Sequence, residues 1–285
     1  MIILGVRTDL AIEFAASKQS PISGVESTCY KEKGVKVSTV EIKTEEAANT
    51  LGKPKGKYIT LESENTTNLF ELCGLREIIA REIKQVLGET LGTVLVVGIG
   101  NVTVTPDALG PKVAEGVLAT RHISGELAEK IGLKGLKSVS VLSPGVLGQT
   151  GMEVKEVIEG AISAVTPSVI VLIDALAARD IGRLCNTVQI SDRGICPGSG
   201  VGNSRSEISR ETVGVRCVTI GVPTVVDAST LCFDLTGNES PNHEPLIVTP
   251  RDIDRLIERS SKVIAEALNI ALQPEIDSEI LTAVV

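Results

Sequence analysis

Val94-Leu-Val-Val-Gly-Ile-Gly-Asn-Val-Thr-Val-Thr-Pro-Asp107 opens with four aliphatic residues, turns at two glycines and ends on a carboxylate. A short apolar run without alternation, closed by turn residues, predicts a strand buried on both faces, the kind found in parallel sheets. Just upstream, Leu75, Ile78, Ile79, Ile83, Val86 and Leu87 recur at helical spacing, so a helix feeds this strand. Downstream the unit repeats: Pro111 suits the first turn of a helix, Val139 to Leu142 reads as a strand, Glu153 to Val165 as a helix and Val169 to Ile173 as a strand. Such alternation predicts a three-layer α/β/α architecture, with helices on both faces of a mostly parallel central sheet.

Farther out, Val35 to Ile42 and Lys57 to Leu61 have strand character, and Thr44 precedes a short helix ending near Gly52. This part predicts a β-rich N-terminal edge. Thr187 to Ile190 and Val215 to Ile220 predict further strands, and an amphipathic helix from Pro250 to Leu272, capped by Thr249, closes the chain. Gly194 to Ser206 and Thr236 to Glu244 are rich in Gly, Ser and Asn and read as loops. With no internal repeat and no low-complexity linker, the 285 residues are read as one α/β domain.

Aromatic residues make up 2% of the chain and Trp is absent, so the core has to be aliphatic. A net charge of -8 argues against nucleic acid as a direct partner, because phosphates would be repelled. The apolar runs fall far short of a membrane span, and the N-terminus is charged too early for a signal peptide, so a cytoplasmic protein is expected. Cys29, Cys73, Cys185, Cys196, Cys217 and Cys232 contain no C-x-x-C pair, and His122 and His243 lie in no metal-binding frame. No cofactor is expected, the thiols read as reduced and structural, and both histidines read as surface residues.

In an open parallel sheet, ligands bind beyond the carboxyl ends of the strands. Four segments reach that rim: Gly98 to Asp107, Ser143 to Gly151, Asp174 to Arg179 and Gly221 to Asp227. The first and third each carry one carboxylate, Asp107 and Asp174. Two carboxylates placed together cannot easily both ionise, so one can act as base towards water while the other holds a proton. The alternative is that Asp107 belongs to a Thr-Pro-Asp turn and Asp174 caps a helix. A dinucleotide fingerprint fails because Thr103 stands where its third glycine belongs. Ser199 lacks the glycines of a nucleophile elbow, although Gly198, Gly200 and Gly202 could form an anion nest, and neither histidine is placed beside Cys196.

Val6-Arg-Thr-Asp-Leu-Ala11, Val97-Gly-Ile-Gly-Asn101, Val104-Thr-Pro-Asp-Ala-Leu-Gly-Pro111, Ile173-Asp-Ala-Leu-Ala-Ala-Arg179, Pro197-Gly-Ser-Gly-Val-Gly-Asn203 and Gly221-Val-Pro-Thr-Val-Val-Asp227 together resemble the germination protease family of spore-forming bacteria. The resemblance runs from Val6 to the terminal helix, where Val248-Thr-Pro also fits. It implies an endopeptidase that degrades small acid-soluble spore proteins during germination, located in the forespore and spore core, made as a zymogen and assembled as a homotetramer. It carries the family's proposed aspartates onto Asp107 and Asp174. The processing bond it implies is Asp9-Leu10, leaving residues 1–9 as propeptide and 10–285 as the peptidase domain. The loops expected to touch substrate contain Asn101, Pro144, Gly145, Arg179, Gly198, Ser199, Gly200, Asn203, Thr224 and Asp227.

The resemblance also implies a fold similar to hydrogenase-maturation peptidases, whose site binds nickel. A metal-dependent peptidase using the same carboxylates is therefore the runner-up, needing a third donor that the sequence does not reveal. Outside the proteases, the rival is a non-catalytic phosphate-binding module built on Gly198 to Gly202. The acidic–apolar–Ala pattern of Asp9-Leu10-Ala11 recurs at Glu13-Phe14-Ala15 and at Glu126-Leu127-Ala128, the latter on or near a helix, so accessibility has to choose among the three. Acidification, by protonating one member of the pair, is expected to trigger self-cleavage. The chain departs from the family in its nine-residue propeptide and in a short stretch between Asp227 and Val248.

Overall fold

The computed structural model describes residues 8–16, 22–123, 125–130, 135–199, 205–237 and 246–276. In chain order the elements are α1 (Ala11–Ala16), β1 (Val25–Glu32), β2 (Val35–Ile42), α2 (Glu45–Leu51), β3 (Gly56–Ser63), α3 (Leu75–Leu87), β4 (Val94–Gly98), α4 (Leu109–Gly116) and α5 (Gly125–Lys130). There follow β5 (Val139–Leu142), α6 (Leu147–Thr150), α7 (Val154–Val165), β6 (Val169–Ala178), β7 (Thr187–Ser191), α8 (Arg210–Val213), β8 (Arg216–Asp227), α9 (Ala228–Thr236), β9 (Ile247–Val248) and α10 (Ile253–Leu272).

All the strands join one sheet in the order β1-β2-β3-β7-β8-β6-β4-β5, with β9 beside the end of β8. β5, β4, β6 and β8 run parallel. β7 pairs antiparallel to β8, and through it β3, β2 and β1 extend the sheet as the β-rich edge. The sheet is thus mixed, and the rim at the carboxyl ends of the parallel strands lies in its C-terminal half.

Alternate residues of each central strand face opposite layers, as a period of two requires. Val94 and Val96, Val169 and Val171, and Val218 and Ile220 pack against α3, α4 and α10 through residues such as Ile79, Ile83, Leu109, Ile257, Ile264 and Leu268. Leu95, Val97, Ile170, Leu172 and Cys217 face the other way and meet Val154 and Ile158 of α7. Burial of this aliphatic surface, at about 25 cal/mol per Å², is the main stabilising contribution.

Local chemistry sets the ends of the helices. Thr44 caps α2 by accepting from the Ala47 N–H, and Gly52 closes that helix in the left-handed conformation. Glu153 and Glu156 form a reciprocal capping box at the start of α7.

Four expectations are corrected. β6 continues five residues past Ile173 and β8 runs to Asp227, so Asp174 to Ala178 and Gly221 to Asp227 belong to a ladder and not to loops that follow it. Each strand supplies the other's backbone partners along its whole length, from Val169 opposite Arg216 to Ala178 opposite Val226, which overrides the local signals of Asp174, Gly221 and Pro223. Thr249 does not cap the last helix; its hydroxyl donates to the Thr224 carbonyl (2.8 Å), and the helix starts at Ile253. The polar strand β1 and the helices α1 and α9 were not anticipated.

Candidate active site

The turn after β4 is built by close approach. A Cβ on Gly98 would lie 2.1 Å from the Gly110 carbonyl oxygen, and one on Gly110 would lie 2.2 Å from that of Ile99. Glycine at both positions lets the start of α4 press against the strand end. Gly100 has φ +133°, and a Cβ there would meet the Asp107 carbonyl oxygen at 2.0 Å; only glycine fits. Asp107 ends a single 3-10 turn, Thr105–Asp107. Its Oδ2 accepts from the Asn101 N–H at 2.8 Å, which aims the carboxylate back across the glycine turn.

Asp174 sits on the neighbouring strand opposite Gly221, with only 4% of its surface exposed. Its Oδ1 accepts from the Ala175 N–H at 2.9 Å. Asp107 and Asp174 line the same cavity of about 420 Å³, together with Asp9, Asn101, Gly198 and Thr224. Burial first, and then the nearby Asp107 and Asp9 charges, push the Asp174 carboxyl well above the usual carboxylate range. Burial also raises Asp107, with the Asn101 N–H acting against it.

Thr224 faces this pair from β8. The register of β6 against β8 shifts between Leu176 and Ala177, whose partners are Pro223 and Val225, so Thr224 is the extra residue of a β-bulge. Bulges beside active sites re-aim side chains. Thr224 is fully buried, and its hydroxyl has no hydrogen-bond partner among the described residues.

The segment ahead of α1 lies along the far end of β6. The Asp9 N–H donates to the Ala177 carbonyl (2.8 Å), and Asp9 Oδ2 accepts from the Ala177 N–H (2.9 Å). Ser199 Oγ donates to Asp9 Oδ1 (2.9 Å), and Gln189 Nε2 donates to the Asp9 carbonyl (3.2 Å). Leu10 is fully buried beside Leu176 and Ala178. Glu13 anchors the same segment: its carboxylate accepts from the N–H groups of Arg179 (2.9 Å) and Asp180 (3.1 Å) and from Thr8 Oγ1, with Arg183 at 3.6 Å.

Sequence reasoning thus leads to one cavity holding Asp9, Asn101, Asp107, Asp174, Gly198 and Thr224, with Ser199 bonded to Asp9. Four of the residues expected to touch substrate fall elsewhere. Pro144 and Gly145 lie outside the cavity wall, which their loop reaches through Val146, Leu147 and Gly148. Arg179 makes a bidentate contact with Asp234 at the surface, and Asp227 caps α9 through the N–H groups of Ser229 and Thr230. Both are therefore structural in this arrangement. Gly200, Gly202, Asn203 and His243 lie outside the described residues. Gln189 was not anticipated, and its signal was a carboxamide in the middle of a buried strand.

Of the three acidic–apolar–Ala sites, Glu13-Phe14 lies within α1 and Glu126-Leu127 within α5, whereas Asp9-Leu10 precedes α1 in a segment without regular structure. Asp174 caps no helix. Burial drives the thiols of Cys185 and Cys217 up to about 12. His122 is exposed. Among the described residues no three His, Cys, Asp or Glu side chains converge as a metal-binding group, and no helix is long and apolar enough to cross a membrane.

Residues 8–239 match the family model described as germination protease. The chain is 40% identical to the germination protease of Caldanaerobacter subterraneus subsp. tengcongensis, covering 96% of each chain. It is 38% identical to that of Priestia megaterium, over 96% of this chain and 95% of the relative. The chain belongs to the germination protease family. It is accordingly a peptidase.

The germination protease of Clostridium acetobutylicum is 37% identical over 95% of this chain and 96% of its own. The alignments to the first two relatives run over 314 and 356 positions, more than the 285 residues of this chain, so those family members carry segments that this chain lacks. Among solved structures, the [NiFe] hydrogenase maturation protease HycI from Thermococcus kodakarensis KOD1 aligns at 21% identity and a TM-score of 0.36, covering 66% of this chain and 98% of its own.

Proposed function

We propose that this germination protease hydrolyses peptide bonds with Asp107 and Asp174 as an unequal pair of carboxyl groups. The observation that carries the reading is their shared cavity, in which the more buried member, Asp174, feels the charge of the other. Asp174 holds the proton, and Asp107, steadied by the Asn101 N–H, is the ionised base. Asp107 takes a proton from water as the water oxygen bonds to the peptide carbonyl carbon. Asp174 donates a hydrogen bond to the carbonyl oxygen and then passes its proton to the leaving amine as the C–N bond breaks. The Thr224 hydroxyl, which lacks a partner among the described residues, serves as a further donor to the developing oxyanion.

The first bond cut is Asp9-Leu10, which lies outside any helix, and residues 1–9 are the propeptide. Small acid-soluble spore proteins are the substrates of the processed form, and a homotetramer is its assembly. Family membership supports these parts of the reading. The same carboxylates could instead ligate a metal ion, and the test below separates the two mechanisms.

A peptide containing Glu-Phe-Ala is incubated with the unsubstituted chain and with Asp107→Asn and Asp174→Asn, each with and without chelator. Each substitution is expected to lower kcat on the order of 10²–10⁴-fold, with chelator making no difference to the unsubstituted chain. Undiminished cleavage by both variants would remove the pair from the mechanism. Loss of the unsubstituted activity on chelation would turn the two carboxylates into metal ligands.

A further inference from the structure

Asn101 follows the glycine turn after β4, and the two ends of its carboxamide have different surroundings. Oδ1 accepts three hydrogen bonds, from the Thr103 N–H (3.0 Å), from Thr103 Oγ1 (2.7 Å) and from Gln149 Nε2 (2.6 Å). A backbone N–H can only donate, so the Thr103 contact fixes which end of the amide is the oxygen. Neither Thr103 nor Gln149 is part of the wall of the cavity that holds Asp107 and Asp174, whereas Asn101 is. With Oδ1 turned to groups outside that wall, the NH₂ is the end left for the cavity, and it donates to nothing among the described residues. The main chain of Asn101 has a separate task, since its N–H holds Asp107 Oδ2 at 2.8 Å.

We infer that the Asn101 NH₂ is a further catalytic donor, given to the carbonyl oxygen of the bond being cut, and that Thr103 and Gln149 are positioning residues that keep it aimed. The inference rests on the reading of Asp107 and Asp174 as the pair that activates water. A carbonyl whose carbon meets water held on Asp107 lies beside the residue that holds Asp107. Asp174 cannot serve the carbonyl oxygen and the leaving amine at once. When its proton goes to nitrogen, the oxygen still carries charge and needs donors that stay in place. Thr224 supplies one from β8, and Asn101 supplies another from the turn after β4. A neutral amide suits this position, because a cation there would pair with Asp107 and weaken it as a base. Asn101 forms no covalent bond and gives up no proton. Gln149 lies on α6, and its neighbours Val146, Leu147 and Gly148 line the same cavity, so the loop after β5 and the turn after β4 are tied together at the carboxamide oxygen.

The test uses the full chain and the Glu-Phe-Ala peptide, with kcat and KM measured separately. Asn101→Ala keeps the backbone N–H on Asp107 and removes the NH₂; kcat should fall on the order of 10²–10³-fold while KM stays within about twofold. Asn101→Asp keeps an oxygen for Thr103 and Gln149 and puts a second oxygen where the NH₂ was. Ionised, that oxygen repels the developing charge; protonated, its O–H donates as the NH₂ did. The ratio of kcat in Asn101→Asp to kcat in Asn101→Ala should therefore rise from below one to above one as pH is lowered from about 8 to about 5, a reversal that a purely structural role would not produce. Gln149→Ala, which removes one of the three contacts on Oδ1, should lower kcat about tenfold with KM unchanged.

A kcat for Asn101→Ala near that of the parent, a loss confined to KM, or a ratio of the two variants that does not move with pH would each overturn the donor. An unchanged kcat in Gln149→Ala would overturn the positioning role. Should Asn101→Ala fail to fold, Asn101→Asp is compared with the parent instead, and its relative kcat should rise as pH falls. Failure of the carboxylate pair has a different appearance: Asp107→Asn and Asp174→Asn would then cleave normally while Asn101→Ala still lost kcat. If the donor alone is wrong, those two variants are impaired and Asn101→Ala is not.

Discussion

A carboxyl group held in its neutral form by burial makes the folded state bind a proton that the unfolded chain has already released. For Asp174 burial acts first, with the Asp107 and Asp9 charges in the same direction, so its folded pKa lies above its unfolded one. In that case the contribution to stability is fully present below the unfolded pKa and is lost as pH rises through the folded pKa. Asp107 is raised as well and adds a smaller contribution of the same sign. Stability should therefore decline as the medium passes from mildly acidic towards neutral. Asp174→Asn, which keeps the shape and cannot ionise, should flatten that decline and leave the variant more stable than the parent at neutral pH. Denaturant titrations at several pH values measure it, and an equal pH slope in parent and variant would contradict the assignment. The two carboxylates were legible in the sequence because each stands beside a strand-like run at a predictable rim. Thr224 was visible as part of a segment, but its role as the extra residue of a bulge depends on how β6 and β8 pair. Gln189 showed only as a carboxamide within a strand, and its role was not readable, since its partners lie 178 and 180 residues away.

At the scale of elements, the rim is set by how tightly β4 and α4 approach. Gly110 stands where a Cβ would meet Ile99 O at 2.2 Å, Ile99 N at 2.5 Å and Ile173 O at 2.6 Å. These are backbone atoms, two of which share the hydrogen bond from the Ile99 N–H to the Ile173 carbonyl (2.8 Å), immediately before Asp174. Neither can yield without parting the strand ends that carry the two carboxylates. Gly110→Ala should destabilise the fold by on the order of 3 kcal/mol and reduce cleavage with it. Gly160, within α7, has nothing within 4 Å of its virtual Cβ, so Gly160→Ala should stabilise by roughly 0.5–1 kcal/mol through helix propensity. Urea unfolding of the two variants gives opposite shifts if close approach is what glycine supplies at position 110. The parallel strands and the helices α3, α7 and α10 were readable because periodicity and apolar runs are local signals. The lengths of β6 and β8 were not: Asp174, Gly221 and Pro223 are locally unfavourable in a strand and are held there by each other's ladder.

Across the whole molecule, the N-terminal segment ties the antiparallel edge to the catalytic rim. α1 packs on β2 and β3 through Ala11 and Phe14, in a cluster with Val40 and Tyr58, and Glu13 fastens it to the backbone that follows β6. That fastening is an anion held by two main-chain N–H groups, the Thr8 hydroxyl and the Arg183 guanidinium, and charge-assisted bonds of this kind are the stronger ones. In Glu13→Gln the charge is lost and an NH₂ group must face a donor, whereas the main core between the sheet and α3, α4 and α10 is untouched. Removing one partner of a buried ion pair costs about 3–5 kcal/mol, and here the loss should appear as local opening, because residues 8–16 pack outside the main core between the sheet and α3, α4 and α10. Hydrogen exchange of residues 8–16 should rise by two to three orders of magnitude while exchange in α3 and α10 stays near that of the parent. Self-cleavage should slow in parallel, since the bond to be cut is then held in the cavity for only part of the time. If exchange instead rises equally throughout the sheet, Glu13 supports the global fold, and the N-terminal segment is not a separately releasable unit.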